Sequence, residues 1–225
     1  MKISVIIPCY NERKTICEVI RRVQSIGLDV EIIIVDDGST DGTLEILQSL
    51  KADHCTVVLH DRNRGKAAAI RTALPLVSGD AVVIQDADLE YDPKDLRTLA
   101  STLSANGTSV VYGSRNLRGN VRSYSTFYWG GRAVSWLTSL LYGCRITDEP
   151  TCYKMFRAEL IKSLDLKSER FDFCPEVTAK VLRLGHKIVE VPISYSPRNF
   201  AEGKKIRWTD GLRAIWVLIR YRLFH

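Results

Sequence analysis

The chain has 225 residues with 45% hydrophobic and 26% charged content, an ordinary globular composition whose length fits one domain with a sizeable core. Lys plus Arg number 32 against 26 Asp plus Glu, so the net charge is +6; this excess favours an anionic partner, such as a nucleotide, a phospholipid surface or nucleic acid. The six cysteines (Cys9, Cys17, Cys55, Cys144, Cys152 and Cys174) have no CxxC spacing and no accompanying His pair, which excludes the usual zinc and thioredoxin patterns and reads as buried thiols in a reducing cytoplasm.

The opening MKISVIIPCYNE has a short apolar run that stops at a proline, which predicts a strand over Ile3–Ile7 and not a secretory signal. Further β-branched runs predict strands at Glu31–Val35, Thr56–His60, Ala81–Gln85 and Ser109–Tyr112. Their continuous apolar character predicts a sheet covered on both faces. Helices fall between them. Thr15 and Glu18 make a capping-box pattern with Gly27 as the stop, Ser39 or Thr40 caps a helix through Leu50, and Arg64–Val77 and Pro93–Leu103 supply two more. Strand, helix and strand repeating in this way predicts an α/β fold with a mostly parallel sheet and its ligand at the carboxyl ends of the strands.

After about Arg115 the pattern changes to an aromatic and Gly-rich segment, a short TDEPTCYKMF stretch, a helix near Pro175–Leu184, a strand over Ile188–Tyr195 and a basic C-terminal helix. With no repeat or linker between these parts, residues 1–205 read as one domain, divided into a nucleotide-binding half (1–115) and an acceptor-side half (116–205). Residues 206–225 read as a basic amphipathic helix. The longest uncharged stretch near the middle, Ala133–Cys144, has 12 residues, short of the roughly 20 that cross a bilayer.

Three polar clusters fall where strands are predicted to end: Pro8-Cys9-Tyr10-Asn11-Glu12, Asp36-Asp37-Gly38-Ser39 and Asp86-Ala87-Asp88-Leu89-Glu90. Two carboxylates at DxD spacing after a buried strand are costly unless a cation neutralises them, and hard oxygen ligands suit Mg²⁺ or Mn²⁺. Such an ion bridges the phosphates of a nucleotide and stabilises charge on a leaving group. An acidic turn alone is common, but Asp37 and Glu12 at the same sheet edge match the layout a diphosphate needs. His54, His60, His186 and His225 fall in no coherent motif and read as surface or structural residues.

The PCYNE, DDGSTDGT, RNRGKAAAI, QDADLE and GSR stretches, in this order and spacing, resemble glycosyltransferase family 2 with its GT-A fold, a Rossmann-like sheet with helices on both faces. Further on, DEPTCYKMF, FCPEVTAKVLRLG, VEVPISYSPR and EGKKIRWTDGLRAI resemble the branch typified by dolichyl-phosphate mannose synthase and bacterial polyprenyl-phosphate sugar transferases. The resemblance implies a metal-dependent inverting transfer from a GDP-mannose or UDP-hexose type donor to a polyprenyl or dolichyl phosphate. It implies that Pro8, Tyr10 and Glu12 line the nucleoside pocket, that Asp37 holds the base or ribose, and that Asp86 and Asp88 face the diphosphate and a Mg²⁺ or Mn²⁺ ion. Glu90 stands where the mannose synthases usually have Gln, and a carboxylate there can still ligate the ion. Lys66 reads either as a donor-phosphate ligand or as a solvated lysine at a helix start.

On the acceptor side, the resemblance brings Arg115 near the transferred phosphates, and Arg198, Lys204 and Lys205 into a loop that closes over the acceptor phosphate; a basic surface loop is the alternative. An Arg fork binds phosphate oxygens in pairs. Arg132 and Arg122 are weaker acceptor-side candidates. A phosphate monoester has its second pKa near 6, so it is already nucleophilic at neutral pH, whereas a hydroxyl acceptor needs a general base. Asp148 is either that base or a residue that orients the acceptor loop.

In the tail, Ile206, Trp208, Leu212, Ile215, Trp216, Ile219 and Leu223 fall in or beside one helical stripe, with Arg207, Arg213, Arg220 and Arg222 as its cations. Together with the aromatic segment Tyr124–Tyr142 it predicts peripheral attachment to an anionic membrane surface, at the cytoplasmic face; a terminal helix packed on the core is the alternative. Three other functions compete: transfer to a glycan hydroxyl, nucleotidyl transfer, and non-catalytic binding of a sugar nucleotide or nucleic acid. The second normally opens with a Gly-rich loop that PCYNERKT lacks, and a nucleic-acid partner is disfavoured because the aromatics cluster with aliphatics instead of interleaving a basic stripe.

Overall fold

The computed structural model describes residues 1–49, 55–105, 107–120, 125–198 and 208–224, with backbone alone at 125 and 126. Seven strands form one sheet: β1 (Ile3–Cys9), β2 (Val30–Asp36), β3 (Cys55–Leu59), β4 (Ala81–Ile84), β5 (Val110–Ser114), β6 (Lys154–Arg157) and β7 (Val189–Pro192). Their spatial order is β3-β2-β1-β4-β6-β5-β7. The pairs β1–β2, β1–β4, β2–β3 and β5–β7 are parallel, and β6 lies antiparallel between β4 and β5. β1 and β4 are buried along nearly every residue, and since successive side chains point to opposite faces, both faces of the sheet are covered.

The described residues also form eight α-helices: α1 (Ile16–Gln24), α2 (Thr43–Ser49), α3 (Lys66–Ala73), α4 (Leu96–Ala105), α5 (Ser125–Tyr142), α6 (Ala158–Ser163), α7 (Phe173–Arg183) and α8 (Trp208–Leu223). On α1 the apolar positions Ile16, Val19, Ile20 and Val23 recur at helical spacing and are all buried, so this helix exists to cover the sheet. α3 packs on β1 and β2, and α4 on β5 and β6.

Several local expectations change. Thr15 stands at the N-cap of α1 but its hydroxyl caps nothing; it donates to the Ala87 carbonyl at 2.8 Å and to the Glu12 carboxylate at 3.0 Å. The side chain is turned to donate to Glu12 and Ala87, so its oxygen accepts no N–H of the first helical turn. α2 starts at Thr43, capped by Asp41, because Ser39 instead accepts the Asn11 N–H at 2.9 Å. The aromatic segment forms the 18-residue α5, and KMFR forms the antiparallel β6. All six cysteines are thiols, but Cys9 and Cys152 alone are buried; Cys17 is exposed on the solvent side of α1.

α8 joins the body through a small second core in which Leu218 and Tyr221 pack with Val134 of α5 and Ala179 of α7. The Tyr142 hydroxyl donates to the Leu218 carbonyl at 2.8 Å, and Arg183 donates to the carbonyl of Tyr221 at 2.9 Å. The predicted single stripe therefore divides. Ile215 turns toward the body, while Trp208, Leu212, Trp216 and Leu223 form an outer face that stays exposed. Ile206 and Arg207 lie outside the described residues.

Candidate active site

Parallel pairing brings the ends of β1 and β2 side by side, and their loops are stitched together. The Asn11 side chain accepts the Thr40 N–H at 2.8 Å, and the Glu12 N–H donates to the Thr43 hydroxyl at 3.0 Å. Asn11 is the one non-glycine residue with positive φ (51°) among the described residues, a turn that Asn tolerates. Gly38, at φ 73°, lies so close to the Arg62–Asn63 backbone that a Cβ would approach it to 2.7 Å. These constraints aim Glu12 and Asp37 over the same edge.

Asp37 is engaged on both oxygens by its own protein. Its carboxylate is 2.7 Å from the His60 ring and accepts the N–H groups of Arg64 at 2.9 Å and Gly65 at 2.8 Å, which fixes the loop into α3. His60 is thus structural and buried, held on its other nitrogen by Thr72 at 3.0 Å. The neighbouring Asp36 is buried with Oδ1 lacking any hydrogen-bond partner among the described residues. Pro8 and Tyr10 stand half-buried beside it. His54 and His225 lie outside the described residues.

After β4, the DAD segment reaches the edge with each carboxylate already engaged. Asp86 pairs with the Lys66 ammonium. Burial raises the Asp86 carboxyl, but the Lys66 charge outweighs it and holds the group below its ordinary value; burial lowers Lys66 and Asp86 raises it, leaving the ammonium firmly protonated. Lys66 is therefore neither solvated nor free of the acidic cluster. The first N–H groups of α3 are closed as well, since Ala67 and Ala68 donate to the carbonyls of Arg170 and Glu169.

Arg198 links the rest. Its guanidinium lies 2.6 Å from Asp88, 3.1 Å from Glu12 and 3.8 Å from Glu90, and its backbone N–H donates to Glu90 at 2.8 Å. Burial, then the Asp86 charge beside it, push the Asp88 carboxyl up to about 7 against the pull of Arg198. Four carboxylates (Glu12, Asp86, Asp88, Glu90) face two cations (Lys66, Arg198), so the cluster carries a formal charge of −2. The hard oxygen donors and that deficit fit a divalent cation. Among the described residues the carboxylates are not gathered into a ready-made group of three ligands; they surround Arg198 and Lys66 instead.

The antiparallel β6 brings its amino end, not its carboxyl end, to this edge, and with it Asp148. The Asp148 carboxylate accepts a two-point contact from the Arg115 guanidinium at 2.8 and 2.7 Å, and the Arg115 backbone N–H at 2.8 Å. Burial lowers the Arg115 guanidinium, but Asp148 outweighs it and keeps the charge firmly on. Glu190 of β7 accepts the N–H groups of Thr147 at 2.8 Å and Asp148 at 3.0 Å, holding the loop that carries the pair. Arg132, exposed on α5, reaches the Thr147 carbonyl at 3.5 Å. Arg122, Lys204 and Lys205 lie outside the described residues. Glu190 and Tyr195 were not legible as site residues in the sequence, because their positions depend on strand pairing. One signal was available for Tyr195: it stands three residues before Arg198 in SYSPR.

A mixed, mostly parallel sheet with an acidic cluster over its edge defines a GT-A fold. The family model for glycosyl transferase family 2 matches residues 4–164, and the chain belongs to that family. It is 31% identical over 214 residues to an undecaprenyl-phosphate 4-deoxy-4-formamido-L-arabinose transferase from Enterobacter sp. (strain 638), covering 90% of this chain and 62% of that protein. It is 31% identical over 230 residues to a dolichol-phosphate mannosyltransferase from Pyrococcus furiosus, covering 98% and 64%. The chain thus spans less than two thirds of these relatives. Glucosyl-3-phosphoglycerate synthase from Mycobacterium tuberculosis, solved with Mn²⁺, UDP and glucosyl-3-phosphoglycerate, superposes with a TM-score of 0.72 at 23% identity, covering 98% of this chain and 79% of that one. A mannosyltransferase from Pyrobaculum calidifontis, solved with GDP-mannose and Mn²⁺, gives 0.61 at 20%, covering 99% and 70%. These two likenesses establish the shared fold.

Proposed function

We propose that this chain is a metal-dependent, inverting glycosyltransferase that moves a sugar from a nucleotide diphosphate donor to a polyprenyl phosphate. The two relatives with polyprenyl-phosphate names support the acceptor, and the structural neighbours crystallised with Mn²⁺ support the ion. Pro8, Tyr10 and Glu12 line the nucleoside side, and Asp37, whose carboxylate is held by His60, Arg64 and Gly65, acts there by fixing the loop into α3 instead of holding the base or ribose itself. Asp86, Asp88 and Glu90 hold Mg²⁺ or Mn²⁺, and the ion supplies positive charge to the diphosphate leaving group. Lys66 stays beside Asp86 and balances part of the remaining charge.

The observation that carries the acceptor assignment is the Arg115–Asp148 pair. A carboxylate held by both arms of a guanidinium is poorly placed to take a proton, and Glu12, Asp88 and Glu90 lie around Arg198. An acceptor that arrives already ionised needs no such base. Arg115, Arg132 and Arg198, with Lys204 and Lys205, orient its phosphate toward the sugar carbon opposite the leaving group. The outer faces of α5 and α8 suit peripheral attachment to an anionic membrane, where a polyprenyl tail resides.

The test is a panel of GDP- and UDP-sugars with a short polyprenyl phosphate and Mn²⁺ or Mg²⁺, following label into the organic phase. One donor is expected to give an extractable phosphosugar, abolished by excess chelator. Full transfer with chelator present contradicts the metal role, and label confined to water with every donor contradicts the acceptor.

A further inference from the structure

Glu90 has one carboxylate oxygen on Arg198 and the other on a residue that nothing above uses. The Tyr195 hydroxyl donates to Glu90 Oε2 at 3.0 Å while the Arg198 N–H donates to Oε1. A carboxylate has about four lone-pair sites, so each oxygen keeps one free for a cation after these two contacts. Tyr195 itself is fixed from several directions. Its backbone forms an isolated bridge with Tyr91, its N–H donates to Asn120 at 3.1 Å, and the next N–H, of Ser196, donates to the Glu90 carbonyl at 2.8 Å. Its ring packs 5.4 Å from that of Tyr91 and lies beneath the Arg115 guanidinium at 5.0 Å.

We infer that Tyr195 is a positioning residue for the metal set: its phenol fixes the rotamer of Glu90, and its ring ties that carboxylate to the Arg115–Asp148 pair on the acceptor side. The inference rests on the reading of Asp86, Asp88 and Glu90 as metal ligands. Residues that orient a ligating carboxylate typically change metal affinity by 10- to 100-fold when removed. Tyr195 suits a carboxylate at position 90, because Glu90 accepts from both neighbours at once, whereas an amide there would turn its NH₂ toward one of the two donors.

The experiment is a titration of the whole chain with Mn²⁺, once with UDP and once with GDP present, reading free Mn²⁺ by electron paramagnetic resonance, for wild type, Tyr195→Phe, Glu90→Ala and the double variant. Phenylalanine keeps the ring on Arg115 and Tyr91, so Tyr195→Phe is expected to fold and melt as the wild type while binding Mn²⁺ about ten-fold more weakly. Glu90→Ala is expected to weaken binding at least as much, and Tyr195→Phe to add nothing in that background. Unchanged Mn²⁺ affinity in Tyr195→Phe, or the same further loss on top of Glu90→Ala, overturns the inference and leaves the metal set intact. Unchanged affinity in Glu90→Ala overturns the metal set itself.

Discussion

Asp88 is the residue on which burial and function conflict most openly. A buried carboxyl pushed up to about 7 beside a second aspartate is a stability cost that a bound cation relieves. Asp88→Asn is therefore expected to remain folded and to lose most turnover together with Mn²⁺ binding; a variant that keeps wild-type turnover refutes the role. For Arg198, loss of a charge-assisted contact costs about 1.5 to 3 kcal/mol, and Arg198→Ala is expected to raise KM for the acceptor more than Kd for the donor. Calorimetry that finds donor affinity lost instead reassigns the residue. Asp148→Asn separates an orienting role from a base: it strips the half-buried Arg115 guanidinium of its charged partner and is expected to lower stability as well as activity, whereas a pure base would leave stability intact. Glu12, Asp86 and Asp88 were legible because strand ends could be read from β-branched runs. Tyr195 was not, since its partner Glu90 lies 105 residues away.

Among the elements, those of the first half were legible, as were α7, β7 and α8, whereas α5 and β6 were not. β6 is four residues long and carries Lys154, which is fully buried, held by the carbonyls of Glu149 and Thr151 and by the Tyr112 ring at 4.3 Å. Only the tertiary fold supplies those partners, so no local pattern marks the segment as a strand. α5 contains Gly130 and Gly131, which weaken helix propensity, and it is held by the packing of Val134 on α7 and α8. The same packing region contains a pH-sensitive clasp. Glu176 of α7 accepts the N–H groups of Lys167 and Ser168, the Lys180 ammonium and the Tyr221 hydroxyl of α8, each at 2.8 Å. Burial raises its carboxyl, but these donors outweigh it and hold the group down to about 2 from 4.5. A depressed carboxyl stabilises the fold above its unfolded value and loses that contribution as pH falls, here between 4.5 and about 2. The difference corresponds to roughly 3 kcal/mol at neutral pH. Glu176→Gln is expected to lower the denaturation free energy by about that much at pH 7, with the gap closing toward pH 2. A gap independent of pH contradicts the clasp.

For the molecule as a whole, the question is what meets the outer faces of α5 and α8. Trp129 and Trp136 on α5 are 65% and 66% exposed, and Trp208 and Trp216 on α8 are 75% and 58% exposed, so the packing of α8 on the body through Leu218 and Tyr221 leaves these four uncovered. No described helix is long and apolar enough to cross a membrane. With Arg213, Arg220 and Arg222 on α8, anionic lipid adds about 1 kcal/mol per basic residue near the surface, screened as salt rises. Sedimentation with anionic liposomes at low salt is expected, reduced by Trp208→Ser with Trp216→Ser and by high salt. Equal sedimentation of the double variant contradicts attachment through this face.

The proposed acceptor is an already ionised phosphate, because the carboxylates at the sheet edge are committed to cations. The direct measurement gives the chain its donor and Mn²⁺ and compares a short polyprenyl phosphate with the corresponding free polyprenol, reading sugar transferred to the lipid. Transfer to the phosphate with none to the alcohol is the predicted result; comparable transfer to the alcohol would contradict the account, since it would require a general base that the Arg115–Asp148 pair does not provide.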